Sequence, residues 1–165
     1  SSSKMPSTSA DAPAAVGSTL TFGNAMSSMS DWLFSGWLAK LPNLKIAYSE
    51  GQVGWMPYVM ERMDKLWHER VANSFGSSLK NPPSSYLGDR ILGCIFDDET
   101  GLANRDRVGM QRISFECDYP HADSTFPHTE KIATEICAKA GLNEAETYAL
   151  LRGNAIRLLG LDLEP

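Results

Sequence analysis

Three features of the sequence predict a parallel α/β fold. Short apolar runs at residues 44–48 (LKIAY), 91–96 (ILGCIF) and 113–117 (ISFEC) have the length and composition of buried strands. Segments with apolar residues three and four apart flank and separate them, which is the alternation of strands and helices that parallel sheets require. The stretch between the second and third strands is near the dozen-residue minimum for a parallel crossover. With 42% hydrophobic and 21% charged residues, 165 residues suffice for one core.

Along the chain, residues 1–17 are rich in Ser, Ala and Pro without periodicity and read as a loop or arm, leaving 18–165 as the folded domain. Met26, Met29, Leu33, Trp37 and Leu41 mark one face of a helix over 18–41 that Pro42 stops. After the first strand, Met56, Met60, Met63 and Trp67 form a second stripe with Pro57 in its first turn and Glu61 and Lys65 spaced for an exposed pair. Residues 73–89 are a Gly/Ser/Pro loop, long enough to suggest a binding loop. A short helix over 101–108 precedes the third strand. Thr129 can cap a helix running to Gly141, and Asn143 with Glu146 forms a capping box for a last helix to Gly160, with Tyr148, Leu151, Ala155 and Leu158 as its apolar face.

Composition narrows the function classes. Fifteen Lys and Arg against twenty Asp and Glu give a formal charge of −5, and no basic cluster of five is present, so no nucleic-acid partner is expected. No apolar run approaches the ~18 residues of a membrane span, and residues 1–6 (SSSKMP) lack a signal peptide's apolar core. A soluble, cytoplasmic protein with no membrane partner is the expectation. Cys94, Cys117 and Cys137, an odd number at wide spacing, are expected to be reduced and mostly buried.

Ligands of parallel α/β folds collect at the carboxyl ends of strands, which directs attention to three segments. These are Ser49-Glu50-Gly51, Asp97-Asp98-Glu99, and Cys117-Asp118-Tyr119-Pro120-His121 with Asp123 and His128 beyond. The third is the densest, and Asp118 with His121 one turn on offers the carboxylate and imidazole that divalent metals take. The bland alternative has Asp118 capping its turn and both histidines as surface residues. Asp97 and Asp98 read as a solvated turn without chemistry, and His68 as an exposed helix residue. Glu116 alternates onto the same strand face as Ser114 and Asp118, an inward acid that needs a partner.

Residues 44–55 (LKIAYSEGQVGW) and 116–128 (ECDYPHADSTFPH), with 82–86 and the closing 153–158 (GNAIRL), resemble the amidohydrolase-related family typified by aminocarboxymuconate semialdehyde decarboxylase. The resemblance implies a distorted eight-stranded TIM-like (β/α)8 barrel holding a catalytic divalent metal, often zinc, that hydrolyses C–N or similar bonds or decarboxylates without oxidation. It makes the three strands the sixth to eighth of the barrel, with extra C-terminal helices following. A closed barrel takes at least ~200 residues, so the chain is expected to be the C-terminal part of one, and the isolated chain need not be active. By the same resemblance Asp118 follows the eighth strand and touches the metal and its activated water, whose proton it accepts or relays. Glu50 stands where decarboxylating members carry a histidine and would orient substrate or water; His121 would polarise or position the substrate. The family's histidines on the first and fifth strands have no counterpart here, so most metal ligands are expected outside the chain. The expected function is a metal-dependent hydrolase of a small organic substrate, partnered by further copies of itself or by a complementary N-terminal barrel half. The alternatives are a non-oxidative decarboxylase and a non-catalytic half-barrel assembly module, the latter suggested by the two bare edges of a three-stranded sheet.

Overall fold

In a computed structural model that describes residues 9–72 and 79–163, the three apolar runs form one parallel sheet. Its strands are β1 (Ile46–Tyr48), β2 (Ile91–Ile95) and β3 (Ile113–Phe115), in the order β1-β2-β3. Ile46 lies opposite Ile91, and Gly93 lies between Tyr48 and Ile113. Register therefore puts Ile46, Tyr48, Ile91, Ile95, Ile113 and Phe115 on one face, and all of them pack into or against the main core. On the opposite face lie Ala47, Leu92, Cys94 and Ser114, which stay outside that cluster. Gly93 leaves no room for a side chain, because the loop after β1 packs on it: a Cβ there would come within 2.3 Å of Val53 Cγ1.

The helix expected over 18–41 is three pieces: α1 (Ala14–Thr19), α2 (Gly23–Phe34) and α3 (Trp37–Lys40). Residues 14–17, read as arm, are thus helical, while residues 1–8 lie outside the described residues. Thr21 Oγ1 donates to the carbonyls of Gly17 and Ser18, a local bond that competes with helix continuation at the first break. Gly36, at φ 75°, makes the second. Beyond it the stripe rotates: Met29, Leu33 and Leu38 are buried, and Trp37 and Leu41 are exposed.

The stripe of α4 (Met56–Leu66) holds, with Met56, Val59 and Met63 buried, Met60 half-buried, and Trp67 buried in the π-helical turn that follows. Glu61 and Lys65 do not pair with each other. Glu61 bonds Arg107, and Lys65 bonds Glu69. Of the loop read over 73–89, residues 73–78 lie outside the described residues. The remainder folds inward: Leu79, Pro83 and Leu87 are buried, and Asp64 of α4 accepts from the Ser84 N–H at 2.9 Å. This packing holds the described part of the loop against α4.

After β2 come α5 (Glu99–Ala103) and α6 (Arg105–Val108) in place of one short helix. Asp98 is not a solvated turn residue. Its Oδ1 accepts from Gly101 N at 2.7 Å as the cap of α5, and Oδ2 accepts from both Val53 N and Gly54 N at 2.6 Å, clamping the start of α4 to the end of β2.

Thr129 opens α7 (Thr129–Lys139) but does not cap it; its hydroxyl pairs with Cys117 Sγ and Thr125 Oγ1, each at 3.1 Å. The capping box of α8 (Glu144–Tyr148) is present, with Glu146 N to Asn143 Oδ1 at 2.9 Å and Asn143 N to Glu146 Oε2 at 3.0 Å. A wide π-helical turn at Ala149–Gly153 then leads into α9 (Asn154–Leu159), so the buried face is Leu150, Asn154 and Leu158, while Tyr148 and Leu151 point out. The Glu116 N–H bonds Ile95 O, so the even-numbered residues of β3 face β2 and the Ile113 carbonyl faces the free edge. There buried Asn154 donates to it through Nδ2 at 2.8 Å. No helix among the described residues is long and apolar enough to cross a membrane.

Candidate metal centre

Glu50 follows β1 by two residues and Asp118 follows β3 by three, so both emerge at the carboxyl end of the sheet. Each takes a left-handed backbone, φ 55° and 61°, which non-glycine residues rarely adopt. Aspartate tolerates this conformation; glutamate has no local hydrogen bond to favour it. Such departures concentrate at functional sites, where surrounding contacts enforce them.

Asp118 turns the chain so that the His121 N–H bonds its carbonyl at 2.8 Å, and His121 Nδ1 comes to 2.9 Å from Asp118 Oδ2. That contact is an ion pair only with a protonated imidazole, and buried Oδ2 accepts no hydrogen bond. A buried carboxylate oxygen without a hydrogen-bond donor, close to an imidazole nitrogen, is an arrangement that a shared cation satisfies. Glu50 completes it. One ligand atom from each of Glu50, Asp118 and His121 lies within 4.8 Å of the others. Two carboxylates and an imidazole suit zinc and other divalent ions, and three protein ligands with an open position are the pattern of catalytic rather than structural zinc sites. The donor set therefore fits the metal that the sequence resemblance implies, and it gathers three candidate ligands within the chain, where the sequence led to the expectation of Asp118 alone with most ligands outside.

Glu116 has the partner it needs. Its carboxylate, on the sheet face opposite the core, crosses β2 and accepts from the Ser49 hydroxyl at 2.6 Å and from the Glu50 backbone N–H. Burial raises its pKa, and those bonds oppose the rise. Burial also pushes the Cys94 thiol up to about 12, with the Glu116 charge adding to the effect. Cys137 is buried, and Cys94 and Cys117 are half-buried free thiols.

Glu50 and His121 border a cavity of about 560 Å³, with Gln52, Phe96, Asp97 and Asp123 among its other walls and α1 with the turn after it closing one side. Asp97, given no chemistry from sequence, faces this cavity, and burial together with Asp123 raises its pKa. Gln52 was invisible to sequence reasoning. It too has a left-handed backbone, φ 51°; its Nε2 lies 3.4 Å from Asp97 Oδ1, and its Oε1 is buried without a partner. His128 sits apart at the start of α7, and His68 is exposed on the far helix.

Comparison with known proteins follows the same direction. No curated protein matches the chain. The amidohydrolase family model matches residues 9–161, nearly the whole length, and so takes in both strand tips and the helices behind them. Members of that family are generally metal-dependent hydrolases or related enzymes. With a match of this extent, and with carboxylates and an imidazole gathered at the ends of its parallel strands, the chain belongs to the amidohydrolase family.

Proposed function

We propose that the protein is a metal-dependent hydrolase of a small organic substrate, and that its three strands are the last three of a (β/α)8 barrel. The observation that carries this reading is the convergence of Glu50, Asp118 and His121 from two strand ends that are not neighbours in the sheet. These three would hold the ion. A bound divalent ion, zinc by the chemistry of the set, would lower the pKa of a water toward ~7 and polarise the substrate carbonyl.

The chain's own groups do the rest. Asp118 accepts a proton at the carboxylate oxygen not given to the ion and returns it to the leaving group. His121, which would hold the ion beside Asp118, positions the substrate. Glu50, held on its turn, orients the reacting groups, and the cavity beside it receives the substrate. A carboxylate at position 50, where decarboxylating relatives carry histidine, supports hydrolysis over decarboxylation.

A second reading is favoured by one observation: β1 and β3 are both edges of the sheet among the described residues, and Ala47 on β1 is exposed. A half barrel kept only for assembly would show the same. Turnover separates the two. Asp118→Asn keeps the shape and tolerates the left-handed backbone but loses basicity, so hydrolysis of a panel of small amides and esters collapses while the thermal midpoint holds. Glu135→Gln, an exposed carboxylate of α7 that pairs with Lys131 and does not line the cavity, leaves both near wild type. Equal turnover in the two variants contradicts the enzyme reading.

A further inference from the structure

We propose that Glu116 is a positioning residue that places the Glu50 carboxylate in the metal site, an inference that rests on the metal-site reading above. The Ser49–Glu50 turn is exposed, and a glutamate gains nothing locally from a left-handed backbone, so its surroundings must enforce it. The enforcement comes from two strands away. One oxygen of Glu116 takes the Glu50 N–H and the other takes the Ser49 hydroxyl, so a single carboxylate grips both residues of the turn. Glu116 is itself anchored, because its own N–H is in the ladder with Ile95 and its strand is paired along β2. The same strand delivers Asp118 two residues later. One short segment following β3 thereby fixes one ligand directly and a second through the backbone of the turn after the opposite edge strand, which sets the spacing between them.

This differs from a structural hydrogen bond in what it moves. Outer contacts that orient a ligand typically change metal affinity by about 10–100-fold when removed. The role needs hydrogen-bond acceptance rather than a charge, and glutamine can supply it: its oxygen accepts from the Glu50 N–H, and its amide donates to the Ser49 oxygen.

The test is zinc binding by competition titration with a chromogenic chelator, using the full chain and four variants: Glu116→Ala, Glu116→Gln, Glu50→Gln and the double Glu116→Ala/Glu50→Gln. Glu116→Ala is expected to bind zinc about 10–100-fold more weakly than wild type, and Glu116→Gln close to wild type. In the Glu50→Gln background the Glu116→Ala change has little further effect, because its target ligand is already impaired. Should Glu116→Ala fail to fold, Glu116→Asp, one methylene short of the Glu50 N–H, takes its place with the same expectation. Wild-type chain that binds no zinc overturns the metal-site reading and this inference with it. Tight binding by wild type and Glu116→Ala alike overturns this inference alone. So does an equal loss in the alanine and glutamine variants, or an undiminished effect of Glu116→Ala when Glu50 is already glutamine.

Discussion

Glu50 combines a left-handed backbone with a side chain that gains nothing locally from it, so its presence is a cost that the fold carries. Replacing it with glycine relieves about 1–2 kcal/mol of backbone strain and returns about 0.5–1 kcal/mol of unfolded-chain freedom. Metal-free Glu50→Gly should therefore be more stable than wild type by about 0.5 kcal/mol in a denaturant melt, while binding zinc more weakly. A destabilised Glu50→Gly would mean that the side chain supports the fold rather than a ligand. The sequence showed Glu50 as one carboxylate after one strand. Its company was not legible there, because Glu50 and Asp118 are 68 positions apart and meet only when β1 and β3 flank β2. Asp118 and His121 were legible, being one turn apart at a strand tip. Gln52 carried no signal at all, since backbone angle and a buried amide oxygen are properties of the turn and not of the residue type.

At the scale of elements, the clamp at Asp98 and the box at Glu146 make separable predictions. Asp98→Ala removes the acceptor of three backbone N–H groups at once and leaves the start of α4 unfastened. The loss should be about 3 kcal/mol, lowering the melting midpoint by roughly 6–12 °C. A shift within about 1 °C would show the clamp to be incidental. At Glu146, the Arg105 guanidinium at 2.7 Å and the Asn143 N–H hold the carboxyl below the usual carboxylate range. The unfolded chain holds that proton more tightly, so the contribution is present above the unfolded value of about 4.3 and is lost as pH falls through the folded one. The melting-point gap between wild type and Glu146→Gln should be constant above about pH 5 and should narrow below about pH 4; a gap that does not depend on pH contradicts the assignment. The capping box was readable because its two residues are three apart. The helix ends that sequence misplaced were not. An apolar stripe ran on unbroken through Gly36, and the π-helical turn at Ala149–Gly153 slid the buried face from Leu151 to Leu150, a shift that a 3.6-residue period does not anticipate.

For the molecule as a whole, the parallel order of the strands was legible because three apolar runs alternate with helical stripes, and that order is what brings the two strand tips to one end. The described chain leaves β1 and β3 as edges and exposes Trp37, Leu41, Leu159, Leu161 and Leu163. Edges and apolar surface of this kind favour association, so sedimentation velocity is expected to show species heavier than the 18.1 kDa monomer as concentration rises. A compact monomer throughout the range would contradict the barrel-half reading. The central claim, that Glu50, Asp118 and His121 gather one divalent ion, is open to a direct observation: X-ray absorption of the zinc-loaded protein, recorded for wild type and for His121→Ala. The account predicts a wild-type shell of oxygen ligands at about 2.0–2.2 Å with imidazole scattering, and loss of that imidazole signature in His121→Ala. An imidazole signal that persists in His121→Ala, or a wild-type shell with none, would contradict it.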